Sequence, residues 1–410
     1  MGARCQGEIA RKMAVIICSW LLLPAHPLGQ NLKTRFFTPK STYLVGEPIF
    51  VTYEFSNDGN KPVWVSSRFG DPCFEQSPIT VADATPGRHG WETALNCGPT
   101  GYGGSCLSSR VEIKQGQLHP GRIFVNHYYL LDQPGNYEIR IDRNVSVTTG
   151  PIPSVPGETV EVMGNVDIQV VNAAKWELES AFQPFLKDLA SPDSERRSQG
   201  VQAVTEMAQP FLEQTILDLS RNPSDVWASI EGLYKINTAK ARDRLAELAR
   251  HDNQDGVRER AMQALAALGD KQYLPLFFRL ARNLKGYEQN LAIESTGLLG
   301  GDGAVQFLSS FLGSPDPQVR GAAVQGLAGT SSRTAVAPLI RELRDPDANV
   351  RNVVNAALAQ LTHRSTASNA PDFAPNPGLD FQKWLGWWLE HGRNATIYGP
   401  TDCAEPIPLS

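Results

Sequence analysis

The chain has 410 residues, with 38 Lys and Arg against 43 Asp and Glu, for a formal net charge of −5. That balance excludes the basic surface that nucleic-acid binding needs. Hydrophobic residues at 41% and charged residues at 20% describe a folded chain rather than a disordered one, long enough for two or three domains.

Residues 1–29 read as a signal peptide. Arg4, Arg11 and Lys12 form a positive start, "MAVIICSWLLLPA" (13–25) forms the apolar core, and Gly29 is the small residue at the expected cut. A retained anchor is the alternative. A lipid-modified Cys18 is disfavoured because Ile17 precedes it. No later segment approaches the ~20 apolar residues of a bilayer span, so we expect an exported protein, periplasmic or extracellular, with no membrane span beyond the signal segment.

Residues 30–172 carry period-two patterning. "EPIFVTYEF" (47–55), "KPVWVSS" (61–67), "SRVEIK" (109–114), "RIFVNHYYLL" (122–131), "NYEIRID" (136–142) and "VDIQVV" (166–171) read as strands between Gly, Pro and Asn turns. The expected fold is an antiparallel β-sandwich. "DQPGNYEI" (132–139) resembles the tyrosine corner of immunoglobulin-like domains, with Tyr137 at the corner and a spacing one residue longer than usual. Residues 68–108 read as an insertion or loop. It holds Cys73, Cys97 and Cys106, and Cys403 lies in the tail. Four cysteines suit an oxidising compartment and allow three pairings. The Gly-rich "GPTGYGGS" between Cys97 and Cys106 favours that bridge. A Cys73–Cys403 bridge is harder, because six stacked helix pairs span roughly 50–60 Å and the final stretch from His391 reaches at most ~40 Å. A free or intermolecular Cys403 remains open.

From residue 173 to 365 the period becomes helical. The small residues Ala203, Gly232, Ala264, Gly297, Gly326 and Ala357 recur about every 31 residues, which predicts an α-solenoid of about six helix pairs. Partner helices carry bulkier stripes, such as Ala304, Phe307, Leu308, Phe311 and Leu312. We expect the small face of one helix to admit a neighbour's bulky face. Residues 366–378 read as a linker. In 379–391, "Phe381, Trp384, Leu385, Trp388, Leu389" is a stripe that predicts a Trp-rich capping helix, with Trp387 off the stripe and partly exposed. A tail, 392–410, follows.

The phrase "DPQVRGAAVQGL" (316–327), with its echoes at Val257–Arg258 and Val350–Arg351, resembles the short, lyase-type HEAT repeats of exported bacterial proteins. The resemblance implies that Asp caps the helix and that Arg197, Arg258, Arg320 and Arg351 form a structural ladder between repeats, consistent with the N-capping preference of Asp and the fork of Arg. The repeats near Asp225 and Tyr287 lack the Arg.

Catalytic patterns are absent from the sequence. The six histidines after residue 29 show no His-x-x-His or His-Glu-x-x-His spacing, and His119 and His127 read as surface residues. There is no nucleophile elbow, no phosphate-binding loop and no His-Glu pair for iron. We therefore expect no enzyme activity, no cofactor and no metal, and instead a protein-binding or scaffold role in the cell envelope on the concave face of the solenoid. Tyr102, in the loop between two cysteines, and Trp387 are the candidate partner-binding residues. One alternative places a protease-inhibitor-like or adhesion function in the sandwich and its 68–108 loop. The other is an enzyme whose titratable groups converge in a cleft between the two regions.

Overall fold

The computed structural model describes residues 31–66, 79–82, 84–86, 110–151, 157–251, 254, 256–365, 377–399 and 407–408. Residues 1–29, where a signal peptide is expected, Tyr102 and all of Cys73, Cys97, Cys106 and Cys403 lie outside the described residues.

Among the described residues the N-terminal region has a two-stranded sheet, which pairs β6 (Thr85–Pro86) with β9 (Tyr129–Leu130), and two main sheets. One has the order β1–β3–β8, from β1 (Leu32–Phe37), β3 (Phe50–Asn57) and β8 (Leu118–Phe124). The other has the order β2–β11–β10–β4–β7, with β5 (Ile79–Val81) also on β10. Its strands are β2 (Thr42–Leu44), β4 (Val63–Ser66), β7 (Arg110–Ile113), β10 (Gly135–Thr148) and β11 (Gly157–Val171). Pairing is antiparallel except between β2 and β11, which run parallel. Val51, Tyr53, Phe55 and Ile123 from the first sheet share one core with Ile139, Ile141, Val162 and Ile168 from the second, so the two sheets bury their apolar faces on each other.

Three strand expectations need correction. The stretch 122–131 is not one strand: β8 ends at Phe124, Val125–Tyr128 forms a single helical turn, and a two-residue strand, β9 (Tyr129–Leu130), follows. The turn is fixed from across the sheet, because Val125 donates its N–H to the Ile49 carbonyl at 2.9 Å and Asn126 Oδ1 accepts the Ile49 N–H at 2.7 Å. β11 begins nine residues before "VDIQVV" and pairs with β10 along its whole length. β1 had no strand-like alternation, yet it pairs in register with β3 from Leu32 to Phe37.

The helical region comprises six pairs among the described residues. They are α1 (Lys175–Asp188) with α2 (Ser194–Met207), α3 (Glu213–Leu219) with α4 (Val226–Ile236), and α5 (Ala239–His251) with α6 (Val257–Ala267). Then come α7 (Leu274–Asn283) with α8 (Gly286–Gly300), α9 (Asp302–Ser309) with α10 (Pro317–Gly329), and α11 (Arg333–Glu342) with α12 (Ala348–Thr362). Asp193, Asp316 and Asp347 accept backbone N–H groups at the starts of α2, α10 and α12, as N-caps do. The cap of α6 is instead Gly256 at φ +77°, with the Trp227 ring against it.

The small residues face bulky neighbours as expected at Gly232, beside Ile216, and they also serve a closer contact between even helices. Even-numbered helices lie directly on one another from repeat to repeat, whereas odd-numbered helices meet sparsely. At the tightest point a Cβ built on Gly297 would fall on the Gly326 carbonyl group, so α8 and α10 touch backbone to backbone. Gly326 also faces a bulky side chain, since a Cβ built on it would lie 3.0 Å from Leu308.

The last helix, α13 (Pro377–His391), starts two residues before the expected boundary. Its buried face is rotated from the predicted stripe: Phe381 and Trp384 are buried and Trp387 and Trp388 half-buried, but Leu389 is 77% exposed. Trp384 donates its indole N–H to Asn355 Oδ1 at 3.2 Å, and the Arg344 guanidinium lies 3.6 Å from the Phe381 ring centre. These polar anchors on the last repeat set the rotation. Arg333 holds the following segment through the carbonyls of Gly392 and Ala395, and Tyr398 stacks on His363.

Candidate functional site

The four arginines sit at the N-terminal ends of even helices. Arg197 grips Asp225 with two bonds of 2.7 and 2.5 Å, Arg258 reaches Glu288 at 2.9 and 3.1 Å, and Arg320 grips Asp345 at 2.7 and 2.8 Å. Each carboxylate belongs to the next repeat. The repeats near Asp225 and Tyr287, which lack an arginine, thus supply the acceptors. Arg351 ends the series and bonds the Asp345 and Pro346 carbonyls at 2.8 and 3.0 Å. A second set of cross-repeat bonds joins the odd side: Thr238 to Glu213, Tyr273 to Asp243, and Ser332 to Asp302.

One carboxyl in the array stands apart. Glu294, on α8, is pushed up to about 7 by burial, and no hydrogen bond or ion pair reaches it among the described residues. Its native form prefers to be neutral, whereas an unfolded Glu titrates near 4.3. The native state therefore binds more protons, and stability falls as pH rises from about 4.3 through about 7. Glu294→Gln is expected to remove that slope, leaving the protein unchanged at pH 4 and more stable at pH 8 by on the order of 2–3 kcal/mol. Thermal melts of both proteins across this range check it.

A cleft lies where the sheets meet the first two repeats. Phe50 and Phe124 stack at 4.7 Å and rest on Phe185 and Ala203, which joins β3 and β8 to α1 and α2. Arg122 donates to Gln199 at 2.8 Å, and Gln209 donates to the Gly46 carbonyl at 3.4 Å. Beside this contact, His127 Nδ1 and Glu206 Oε2 are 2.9 Å apart, with side chains 15% and 17% exposed. Burial alone would push the Glu206 carboxyl up. The His127 hydrogen bond and charge, with Lys235 and Gln202, outweigh it and hold the group below its ordinary range. His127 is therefore not a surface histidine. His119, on β8, is half-buried, and its burial lowers its titration despite the opposing charge of Glu195. The cleft has a volume of about 350 Å³ and is lined by His127, Glu206, Lys235 and Asp132 together with Asn126, Gln209 and an apolar wall.

Sequence reasoning allowed for a cleft between the two regions but did not name the residues that form it. His127 and Glu206 are 79 residues apart, on a turn that read as strand and on a helix that read as repeat core. Of the candidate partner-binding residues, Trp387 is half-buried, edge-on to Trp384 at 5.8 Å and stacked with His391 at 6.0 Å. No group of three or more His, Cys, Asp or Glu that could hold a metal ion occurs among the described residues. No described helix is long and apolar enough to cross a membrane.

Comparison with known proteins agrees with the helical reading. Residues 305–370 match the HEAT repeats model and residues 257–277 match the PBS lyase HEAT-like repeat model. No curated protein matches the chain. Among solved structures, the complex of CpcE and CpcF of phycocyanin lyase from a Nostoc species is similar at 19% identity, covering 36% of this chain and 99% of that one, with a TM-score of 0.30. An engineered protein is similar at 20% identity, covering 43% and 94%, with a TM-score of 0.30. Human deoxyhypusine hydroxylase is similar at 17% identity, covering 44% and 73%, with a TM-score of 0.26. The chain thus contains HEAT-type repeats behind an N-terminal sheet-rich region.

Proposed function

We propose that this protein is a non-enzymatic scaffold of the cell envelope that holds a protein partner along the inner face of its HEAT array. The observation that carries the reading is the asymmetry of the repeats. Direct packing of the even helices curves the array toward them, and on the last two of them the outward residues Gln325 and Asn352 are exposed. The ladder arginines are occupied in holding repeats together and are not available to a partner. In this reading the sheet region is an immunoglobulin-like sandwich, supported by the Tyr137 hydroxyl donating to the Gln133 carbonyl at 2.9 Å, the bond of a tyrosine corner. Export rests on the N-terminal signal pattern.

Photo-crosslinking side chains placed in the full chain test the reading in the source cell. Positions 325 and 352 on the even side are expected to trap the same partner, while positions 279 and 306 on the odd side trap none. Equal labelling from both sides removes the inner-face reading.

The junction cleft is a second place where titratable groups converge, but His127 and Glu206 satisfy each other there. That pairing favours ligand binding over proton transfer.

A further inference from the structure

The junction cleft has more hydrogen-bonding capacity than the protein uses. Asn126 spends its Oδ1 on the Ile49 N–H, and its amide nitrogen has no partner among the described residues. The Lys235 ammonium carries three donors. It gives one to the Glu206 carbonyl at 2.9 Å and lies in an ion pair 3.3 Å from Glu231 Oε1, which leaves at least one over. On the acceptor side, Gln209 commits its amide nitrogen to Gly46 and keeps its Oε1, and the Asp132 carboxylate at the rim has no partner among the described residues. The remaining wall is apolar: Val45, Leu131 and Met207, with Leu130 at the mouth 44% exposed.

Two spare donors, one of them cationic, thus share a space of about 350 Å³ with two spare acceptors, one of them anionic. That volume is at the lower end for small-molecule sites. A lone cation or anion would satisfy only half of the set. A molecule with both an ammonium and a carboxylate, and an apolar side chain, satisfies all of it. We propose that the cleft binds such a zwitterion, an apolar α-amino acid or a short apolar peptide. Its carboxylate is taken by Lys235 and Asn126, its ammonium by Asp132 and Gln209, and its side chain by the Leu130–Met207 wall. The cleft draws Asp132, Leu130 and Asn126 from the sheet region and Gln209, Lys235 and Met207 from the first two repeats, so the ligand also ties the two regions together. This inference does not depend on the scaffold reading.

Calorimetric titration of the full chain with leucine, N-acetyl-leucine, leucinamide and leucyl-leucine tests it. Leucine or the dipeptide is expected to bind, and removal of either charge to weaken leucine about tenfold. Asp132→Asn should bind leucine no better than the native protein binds N-acetyl-leucine, yet still discriminate against leucinamide. Lys235→Met should show the reverse. This crossed pattern cannot come from misfolding, which would abolish both responses. Tighter binding of leucine assigns a free amino acid, and tighter binding of the dipeptide assigns a peptide; both outcomes support the site. The proposal is overturned if neither binds at about 20 mM, or if both charge removals and both variants leave affinity unchanged.

Discussion

Gly297→Ala is expected to destabilise the helical region by about 3 kcal/mol, at the upper end of overpacking effects. The new methyl group has nowhere to go: its nearest neighbours are the carbonyl oxygen, carbonyl carbon and Cα of Gly326, all backbone. A rotamer change cannot relieve a clash with backbone, so α8 and α10 must separate, and the interface they share with Gly329 loosens with them. Gly321→Ala, on the facing helix α10, is the control. A Cβ there meets nothing within 4 Å, so the gain in helix propensity is expected to raise stability by about 0.5–1 kcal/mol. Opposite shifts in the urea midpoint from one methyl group, at two glycines close to the same contact, would separate backbone packing from helix propensity. Equal shifts of either sign would refute the backbone-contact account.

That contact shows which parts of this molecule a sequence can reveal. A repeat is legible because the same packing demand recurs: a small residue is needed wherever two even helices cross, so Ala203, Gly232, Ala264, Gly297, Gly326 and Ala357 mark the array at a nearly constant spacing. The donor half of the ladder is legible for the same reason. The acceptor half is not, because Asp225 is the N-cap of α4, Glu288 is the third residue of α8, and Asp345 precedes the N-cap of α12 by two residues. Any carboxylate within reach of the fork serves, so selection fixes no spacing. The junction cleft has no periodicity at all. Its groups come from the loop at Gly46, the turn 125–128, the strand after it, and helices α2 and α4, and only the docking of Phe50 and Phe124 on Phe185 brings them together. β1 was missed for a related reason. Its Phe36 and Phe37 are consecutive and half-buried rather than alternating, and Phe36 covers Gly164 of the other sheet.

The second large effect is expected at the Arg320–Asp345 pair. Arg320 is 9% exposed and Asp345 6%, which makes this rung the most buried of the ladder. Burial pushes the Asp345 carboxyl up, but hydrogen bonds from Arg320 and from the Asp347 N–H, with the Arg320 and Arg351 charges, hold it below its ordinary range. The unfolded chain therefore binds a proton more readily than the native one at acidic pH. The contribution of the pair is complete above the unfolded value near 3.9 and is lost as pH falls through the native one. Asp345→Ala leaves a buried guanidinium with only the carbonyls of Ser314 and Pro315, and removal of one partner of such a pair costs about 3–5 kcal/mol at neutral pH. Replacement of both, as Arg320→Met with Asp345→Leu, removes the desolvation penalty together with the attraction and is expected to recover most of that loss. Arg351→Met should cost less than Asp345→Ala, because Arg351 donates to no carboxylate of a following repeat among the described residues and bonds only two carbonyls. Chemical denaturation of the four proteins at neutral pH and at pH 3 checks the account. If Asp345→Ala matches the double variant at neutral pH, the buried charge is not what the ladder holds in place.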